Sequence, residues 1–329
     1  MPIHDFVWRA PAPRTAAEAD SLTILDTVDS TNTMMTRDIA AGAHGGDAVS
    51  RIANLYGGES GATADATKTN AAASHALPVA VAVSDTQTKC HGRLGRVWYN
   101  RPGQSLLASF AVPAPTALIG ASMGGWITMS AGLAVLDAMR DAAGEYEFTA
   151  IVGDDGAERG KLTIKWPNDI FCDGRKLAGV LSEFVPVDER WSAVVIGIGL
   201  NLFVPRDDLP TDIATSLQLH YDGLPGYATL RDALMAGIVR HLRERLERLY
   251  ADPKAGVAGV LREIEAVSWT LGRRVEARLA DGGSVHGTAT AINPDASLTI
   301  RDDAGETHVV TTGDVGVMPM PGVMPMAAA

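Results

Sequence analysis

Lys165-Trp166-Pro167-Asn168-Asp169-Ile170, followed by Arg175-Lys176-Leu177-Ala178-Gly179-Val180-Leu181, is the stretch on which the reading of this 329-residue chain turns. Leu162 and Ile164 alternate with polar residues as in a half-buried strand. Pro167-Asn168-Asp169 interrupts the alternation, and Asp173-Gly174 is a favoured hairpin dipeptide. Lys176 then opens a nearly all-apolar strand, where an ammonium group is costly unless its head reaches water or an anion. Two lysines and an aspartate at the ends of paired strands suggest a site for an anionic ligand. A decorated surface hairpin fits the same residues.

The length suffices for one large domain plus a small one. With 46% hydrophobic and 20% charged residues the chain reads as globular. Its formal net charge of -11 argues against a general nucleic-acid binder, whose affinity comes largely from neutralising phosphates, although a local basic loop remains compatible. Cys90 and Cys172 are too few for a zinc cage or a disulfide framework and fit a reducing cytoplasm. Met1-Pro2-Ile3-His4-Asp5 lacks the basic and apolar regions of a signal peptide, and no apolar run is long enough to span a bilayer.

Residues 1–20, rich in Pro and Ala, read as a flexible arm. Leu22 to Leu25 form a strand that leads into Asp29-Ser30-Thr31-Asn32, a good helix start and, taken alone, more often a cap than a ligand site. Over 42–76 the composition shifts to Ala, Gly, Ser and Thr, and most of this stretch, from near Gly57, reads as a mobile insertion. Strands are expected at Val79–Val83, Leu106–Val112 and Ala193–Asn201, with a buried helix from Met123 to Ala143 that stops at Gly144. Leu230, Leu234, Ile238, Leu242, Leu246 and Leu249 recur at helical spacing; Thr229 with Asp232 makes a capping box, and Asp252-Pro253 ends the helix. Beyond Trp269, short strands separated by Asp281-Gly282-Gly283, Asn293-Pro294-Asp295 and Asp303-Ala304-Gly305 suggest a small β-barrel. Met318 to Ala329 reads as a tail.

The acidic chain concentrates Lys89, His91, Arg93, Arg96 and Arg101 around Gly92 and Gly95. Arginine forks bind phosphate and carboxylate oxygens, and glycines let backbone N–H groups approach them; a solvated basic turn or an RNA-contacting segment would look the same. Four features in order go further: Ser30-Thr31-Asn32, Gln87 with the Gly/Arg loop and Trp98, Lys165 to Lys176, and Gly197-Ile198-Gly199-Leu200-Asn201. Together they closely resemble biotin protein ligase over roughly residues 22–315, and Lys-Trp-Pro-Asn-Asp followed by Lys-Leu-Ala-Gly is a highly specific signature of that family.

The resemblance implies an α+β fold. A biotin/lipoate ligase-like catalytic domain over 21–267, with a mixed sheet and flanking helices, would precede an SH3-like barrel over 268–317. It also implies that biotin is activated with ATP and Mg²⁺ to biotinyl-5′-AMP. The biotin would then pass to a lysine of a biotin carboxyl carrier domain, in a cytoplasmic monomer or homodimer. Carried over position by position, Ser30 and Thr31 would bond the ureido ring, with Asn32 beside them. Gln87 would touch the same ligand, and the backbone of His91, Gly92 and Arg93 would close over it. Arg93 would face carboxylate and phosphate, Lys176 would hold both during transfer, and Asp169 would orient the acceptor lysine. Arg96, Trp98, Lys165, Asn168 and Asn201 would complete the nucleotide side, with no protein-bound metal. No enzyme nucleophile is required, since both steps need alignment and stabilisation of anionic oxygens.

Two features depart from the family. Its loop usually reads Gly-Arg-Gly-Arg-x-Gly-Arg, and Cys90-His91 stands in place of the first pair; a positive φ there would cost Cys90 roughly 1–2 kcal/mol. The stretch before the first strand is also too short for the winged helix of the repressor members, so specific DNA binding is not expected. Lipoate ligase, with the same fold and adenylate chemistry, and a non-catalytic biotin sensor are the competing readings.

Overall fold

Period-two alternation builds a sheet whose two faces feed two cores. The computed structural model describes residues 9–42, 47–56, 67–70, 75–119, 123–153, 155–279, 283–311 and 314–317. The chain runs through α1 (Pro13–Glu18), β1 (Ser21–Val28), α2 (Thr31–Ala40), α3 (Ala48–Ala53), β2 (Thr67–Asn70), β3 (Ala80–Gln87) and β4 (Ser105–Pro115). A short α4 (Thr116–Leu118) precedes the long α5 (Gly124–Tyr146) and β5 (Thr149–Ala150). Then come β6 (Leu162–Lys165), β7 (Asp169–Cys172), β8 (Arg175–Pro186), β9 (Trp191–Asn201) and β10 (Tyr221–Asp222), which pairs with β5. Helices α6 (Tyr227–Ala251) and α7 (Pro253–Ala266) close this part of the chain. The main sheet has eight strands in the order β2-β1-β3-β4-β9-β8-β7-β6, with β1 and β3 parallel and the other pairs antiparallel.

Val79, Val81 and Val83 face the larger core, with Trp126, Ile127 and Met129 of α5 and Leu234, Ile238 and Leu242 of α6. Ala80 and Ala82 face the other way, onto Met34, Met35 and Ile39 of α2 and Ile52 of α3. Strand β9 divides likewise: Val194, Ile196, Ile198 and Leu200 enter the larger core, while Ala193 and Val195 pack toward α2. The next positions on the α2 side are Gly197, Gly199 and Asn201. There the second core ends and a cleft begins.

The local signals hold where the physics is local. Asp173 (φ 47°) and Gly174 (φ 77°) make the expected left-handed turn between β7 and β8. Ser30 caps α2 by accepting from the backbone N–H of Thr33. Several expectations fail where a distant partner intervenes. Within the supposed flexible arm, residues 13–18 are helical. Asp232 is not a capping residue; α6 starts at Gly226 without a side-chain cap, and the Asp232 carboxylate accepts from the backbone N–H groups of Arg14 and Thr15 and from the Thr15 hydroxyl. Helix α5 runs through Gly144 to Tyr146 and ends on left-handed Glu147. Asp252 ends α6, as the sequence predicts, and its side chain also caps a further helix, α7.

Inside 42–76, α3 packs Ile52 into the second core and β2 pairs with β1. The rest of the proposed mobile insertion, the first eight residues and the tail from 318 lie outside the described residues. The C-terminal SH3-like unit is a five-stranded antiparallel sheet, in the order β14 (Thr307–Val310), β13 (Leu298–Arg301), β12 (Ser284–Ile292), β11 (Arg274–Arg278), β15 (Asp314–Val317). Its outer strands β14 and β15 do not pair among the described residues, so it is an open sheet where a closed barrel was expected. Its 293–296 turn is tied to the larger part: Trp126 Nε1 donates to the Pro294 carbonyl at 2.8 Å, and Trp166 Nε1 donates to that of Ala296 at 2.9 Å. No helix among the described residues is long and apolar enough to cross a membrane.

Candidate active site

The cleft, about 330 Å³, opens on the α2 side of the sheet between β3, β4, β8 and β9. The β6–β7 loop and the start of β8 supply its charged end. Asp169 Oδ1 is 2.7 Å from Lys176 Nζ, and Asp169 Oδ2 is 3.4 Å from Lys165 Nζ. Asn168 is locked to β8, its Nδ2 donating to the Val180 carbonyl at 2.8 Å, and its Oδ1 accepts from Arg93 Nη1 at 3.1 Å. Two ammonium groups and a guanidinium thus converge around one carboxylate. The surplus positive charge suits an anionic ligand. Asp169 is the only carboxylate among the described residues lining the cleft, and it is already taken by the two lysines.

The opposite end is polar but uncharged, and its hydrogen bonds run in one direction. Asn32 Nδ2 donates to Glu183 Oε2 at 2.8 Å, which turns its Oδ1 toward the Ser109 hydroxyl 2.5 Å away. Ser109 Oγ also lies 2.7 Å from Thr31 Oγ1. The Ser109 proton goes to the amide oxygen, which can only accept, so the Thr31 hydroxyl turns its own proton to Ser109. Thr31 Oγ1 in turn accepts from Gln87 Nε2 at 3.0 Å. One lone pair of Thr31 is left for a ligand N–H. The Ser30 hydroxyl, accepting from Thr33 N, has no acceptor for its proton among the described residues. A donor and an acceptor therefore stand side by side at this end.

Between the two ends the walls are apolar. Trp98 lies flat against β8 and β9, where a Cβ on Gly199 would fall 2.7 Å from the indole and one on Gly179 3.2 Å from it. Lys176 Nζ sits 5.6 Å from the centre of the same ring. Gly199→Ala is therefore expected to displace Trp98. Overpacking of this kind typically costs about 1–3 kcal/mol, to be seen as a lowered melting temperature with a shifted tryptophan emission. Unchanged emission would mean that the ring does not rest on β9.

The basic loop folds on itself. Gly92 N donates to the Arg96 carbonyl at 2.7 Å, Trp98 N donates to that of Cys90 at 3.1 Å, and Arg93–Gly95 form a 3-10 turn at the tip. Positive φ among non-glycine described residues occurs at Arg9, Glu147, Asp173 and Ala296, so Cys90 carries no left-handed strain; the loop's left-handed residue is Gly95, at φ 68°. Burial pushes the Cys90 thiol up to about 11, so it is a neutral side chain near pH 7. His91 is exposed and pairs through its backbone with Val97.

Ser30, Thr31, Asn32, Gln87, His91, Gly92, Arg93, Arg96, Trp98, Lys165, Asn168, Asp169, Lys176 and Asn201 all line this one cleft. Four of them are largely occupied by protein partners: both amide ends of Gln87 bond Thr31, and three asparagines are tied down as well. Asn32 and Asn168 have both amide ends bonded as described, and Asn201 accepts from Ser105 Oγ at 3.2 Å and donates to the Thr215 carbonyl at 2.9 Å. Sequence reasoning missed Ser109 and the 210–214 wall. A serine inside the apolar run Leu106–Val112 was the available signal for the first, because a buried hydroxyl needs a partner.

Residues 62–201 match the Biotin/lipoate A/B protein ligase family, and 270–317 match the Biotin protein ligase C terminal domain. The chain is 31% identical over 236 residues to the biotin--[acetyl-CoA-carboxylase] ligase of Mycobacterium tuberculosis, covering 71% of this chain and 77% of that one. It is 29% identical over 227 residues to the bifunctional ligase/repressor BirA of Bacillus spizizenii, covering 68% of this chain and 62% of that protein, so it spans about three fifths of that curated relative. A solved biotin protein ligase from Aquifex aeolicus, in complex with biotin and ATP, shares the fold with a TM-score of 0.57 at 20% identity, covering 90% of this chain and 98% of that one. The mycobacterial kinship over most of both chains, with the two matched domains in their order here, makes this chain a member of the biotin protein ligase family.

Proposed function

We propose that the protein is an ATP-dependent biotin protein ligase that forms biotinyl-5′-AMP and transfers biotin to a lysine of a biotin carboxyl carrier domain in the cytoplasm. One observation carries this: a single cleft has a neutral donor–acceptor end at Ser30 and Thr31, apolar walls at Trp98 and β9, and a cationic end at Lys176, Lys165 and Arg93. Biotin has the same sequence of parts, a ureido ring, an aliphatic chain and a carboxylate. Its ureido oxygen would accept from the Ser30 hydroxyl and its N–H would meet the Thr31 lone pair. Its carboxylate would then lie at the lysines, beside the α-phosphate of ATP. The dithiolane head of lipoate has no hydrogen-bonding groups and would leave the polar end unsatisfied, which favours biotin.

In the first step the biotin carboxylate attacks the α-phosphorus and expels pyrophosphate; in the second a carrier lysine attacks the anhydride and expels AMP. Lys176 and Arg93 would stabilise the oxygens that gain charge, and Asp169 would hold the Lys176 ammonium in place while facing the incoming amine. Magnesium belongs to this reaction as the ion of the nucleotide substrate, bound through its phosphates.

Purified protein with MgATP, labelled biotin and a biotin carboxyl carrier domain should place label on the carrier lysine. Binding of biotin with neither pyrophosphate release nor labelled carrier would instead make the protein a sensor. Ser109→Ala is expected to raise KM for biotin about tenfold, equivalent to roughly 1.4 kcal/mol, because the Thr31 hydroxyl loses the neighbour that fixes its direction. An unchanged KM would show that the relay does not reach the ligand.

A further inference from the structure

Behind the charged end of the cleft lies a buried Asp–His–Thr chain that neither the motif reading nor the proposed chemistry uses. His220 is 8% exposed. Its Nδ1 is 2.7 Å from Asp173 Oδ2, and its Nε2 is 2.6 Å from Thr215 Oγ1. The Asp173 carboxylate also accepts from the backbone N–H groups of Gly160 and Lys161, at 2.7 and 2.9 Å. The Asp173 oxygens, already accepting from two backbone N–H groups, accept from the ring as well, so Nδ1 carries the proton. A neutral imidazole then accepts at Nε2, and the Thr215 hydroxyl donates to it.

Thr215 is occupied on all sides. Its N–H donates to the Lys176 carbonyl at 2.8 Å, and its carbonyl accepts from Asn201 Nδ2 at 2.9 Å. Two residues earlier, the Ile213 carbonyl accepts from the Lys176 N–H at 2.6 Å. The backbone of Lys176 is thereby gripped from both of its polar groups by the 213–215 segment. That segment is fastened through His220 to Asp173, three residues ahead of Lys176 on the same hairpin. The ring of contacts is closed.

Two other readings of the cluster fail on geometry. Cys172, Asp173 and His220 lie close enough together for a metal ion, but both imidazole nitrogens are bonded and the Cys172 thiol is pushed up by burial, so the set lacks donors. The order Thr–His–Asp resembles a nucleophile relay, but Thr215 is buried and neither it nor His220 lines the cleft.

We propose that His220, with Asp173 and Thr215, is a positioning residue for Lys176, holding the 213–215 wall against the lysine's backbone so that its ammonium is aimed into the cleft. This rests on the role given to Lys176 above. The Thr215 hydroxyl can donate to a neutral Nε2 or accept from a protonated one, so the contact holds in either state of the ring. Burial lowers the affinity of His220 for a proton against the pull of Asp173, and Arg175 and Arg206 lower it further.

The test uses the full chain, His220→Gln and Thr215→Val. Amide hydrogen exchange at Lys176 and Thr215 should accelerate at least tenfold in Thr215→Val, with little change in melting temperature. In biotin-dependent ATP–pyrophosphate exchange, kcat should fall about tenfold in both variants while KM for biotin and ATP stays within twofold. Unchanged exchange at Lys176 together with unchanged kcat would overturn the proposal. So would a loss of activity that only follows a loss of folded protein. If the wild-type chain formed no adenylate the ligase assignment would fall, while the exchange rates would still decide the clamp.

Discussion

Replacing Lys176 with alanine is expected to reduce biotin-dependent pyrophosphate release at least a hundredfold while the protein stays folded. The Lys176 side chain is 29% exposed and reaches the cleft, 2.7 Å from Asp169, so little packing is lost with it. The chemistry loses more. Lys165, Asp169 and Lys176 together carry one surplus positive charge, and without Lys176 the remaining pair is neutral, with Lys165 3.4 Å from the carboxylate. Two anions, a carboxylate and a triphosphate, would then have to approach without the ammonium that screens them. Removing one preorganised charge-stabilising donor typically costs about 10²–10³ in rate. Lys176→Arg keeps the charge but places a planar fork where a point charge stands, and should recover only part of the loss. Near-normal pyrophosphate release from Lys176→Ala would remove Lys176 from the reaction.

What the sequence disclosed about this site follows from the range of the interactions. Asp173-Gly174, the Ser30 cap and the apolar runs of β3, β4 and β9 are decided by neighbours within a few residues, and the fold kept all of them. The motif residues converge on one cleft because Ser30 to Asn32, Gln87, Lys165, Asp169, Lys176 and Asn201 sit at or near the ends of strands and of α2, with the basic loop between β3 and β4 beside them. Thr229 and Asp232 formed an equally good local signal that did not survive. Asp232 bonds Arg14 and Thr15, more than 200 residues away, and a buried carboxylate takes the partners that tertiary packing brings. His220 and Ser109 escaped for the same reason. A single histidine after a loop carries no period, and its meaning depends on Asp173, 47 residues earlier. The concern over Cys90 was of a third kind. A family glycine there suggested a left-handed backbone, but in this loop the left-handed residue is Gly95.

The largest stability loss is expected at Arg231→Ala, far from the chemistry. Arg231 and Asp85 are both fully buried as side chains, with Arg231 Nη1 2.6 Å from Asp85 Oδ1. Arg231 Nη2 donates to the Ala10 carbonyl at 2.6 Å, and Asp85 Oδ2 accepts from the Arg9 N–H at 2.8 Å. One ion pair thus joins α6, β3 and the segment ahead of α1, and β3 ends two residues later at Gln87 in the cleft. Removing one member of a buried pair strands the other and typically costs about 3–5 kcal/mol. The loss should depend on pH in a definite sense. Burial raises the Asp85 carboxyl above its ordinary range, and Arg231 opposes that rise. A carboxyl raised in the folded state contributes most stability below its unfolded value and loses it as pH rises through the folded one. Without Arg231 the rise is larger. The mutant should then suffer its full deficit near neutral pH, where the stranded carboxyl must ionise or take up a proton from dilute solution. The deficit should shrink in acid, where protonation is cheap. Urea unfolding of wild type and Arg231→Ala at about pH 5 and pH 7.5 measures this directly. A deficit equal at both values would mean that the loss is one of packing and segment anchoring, with no stranded charge behind it.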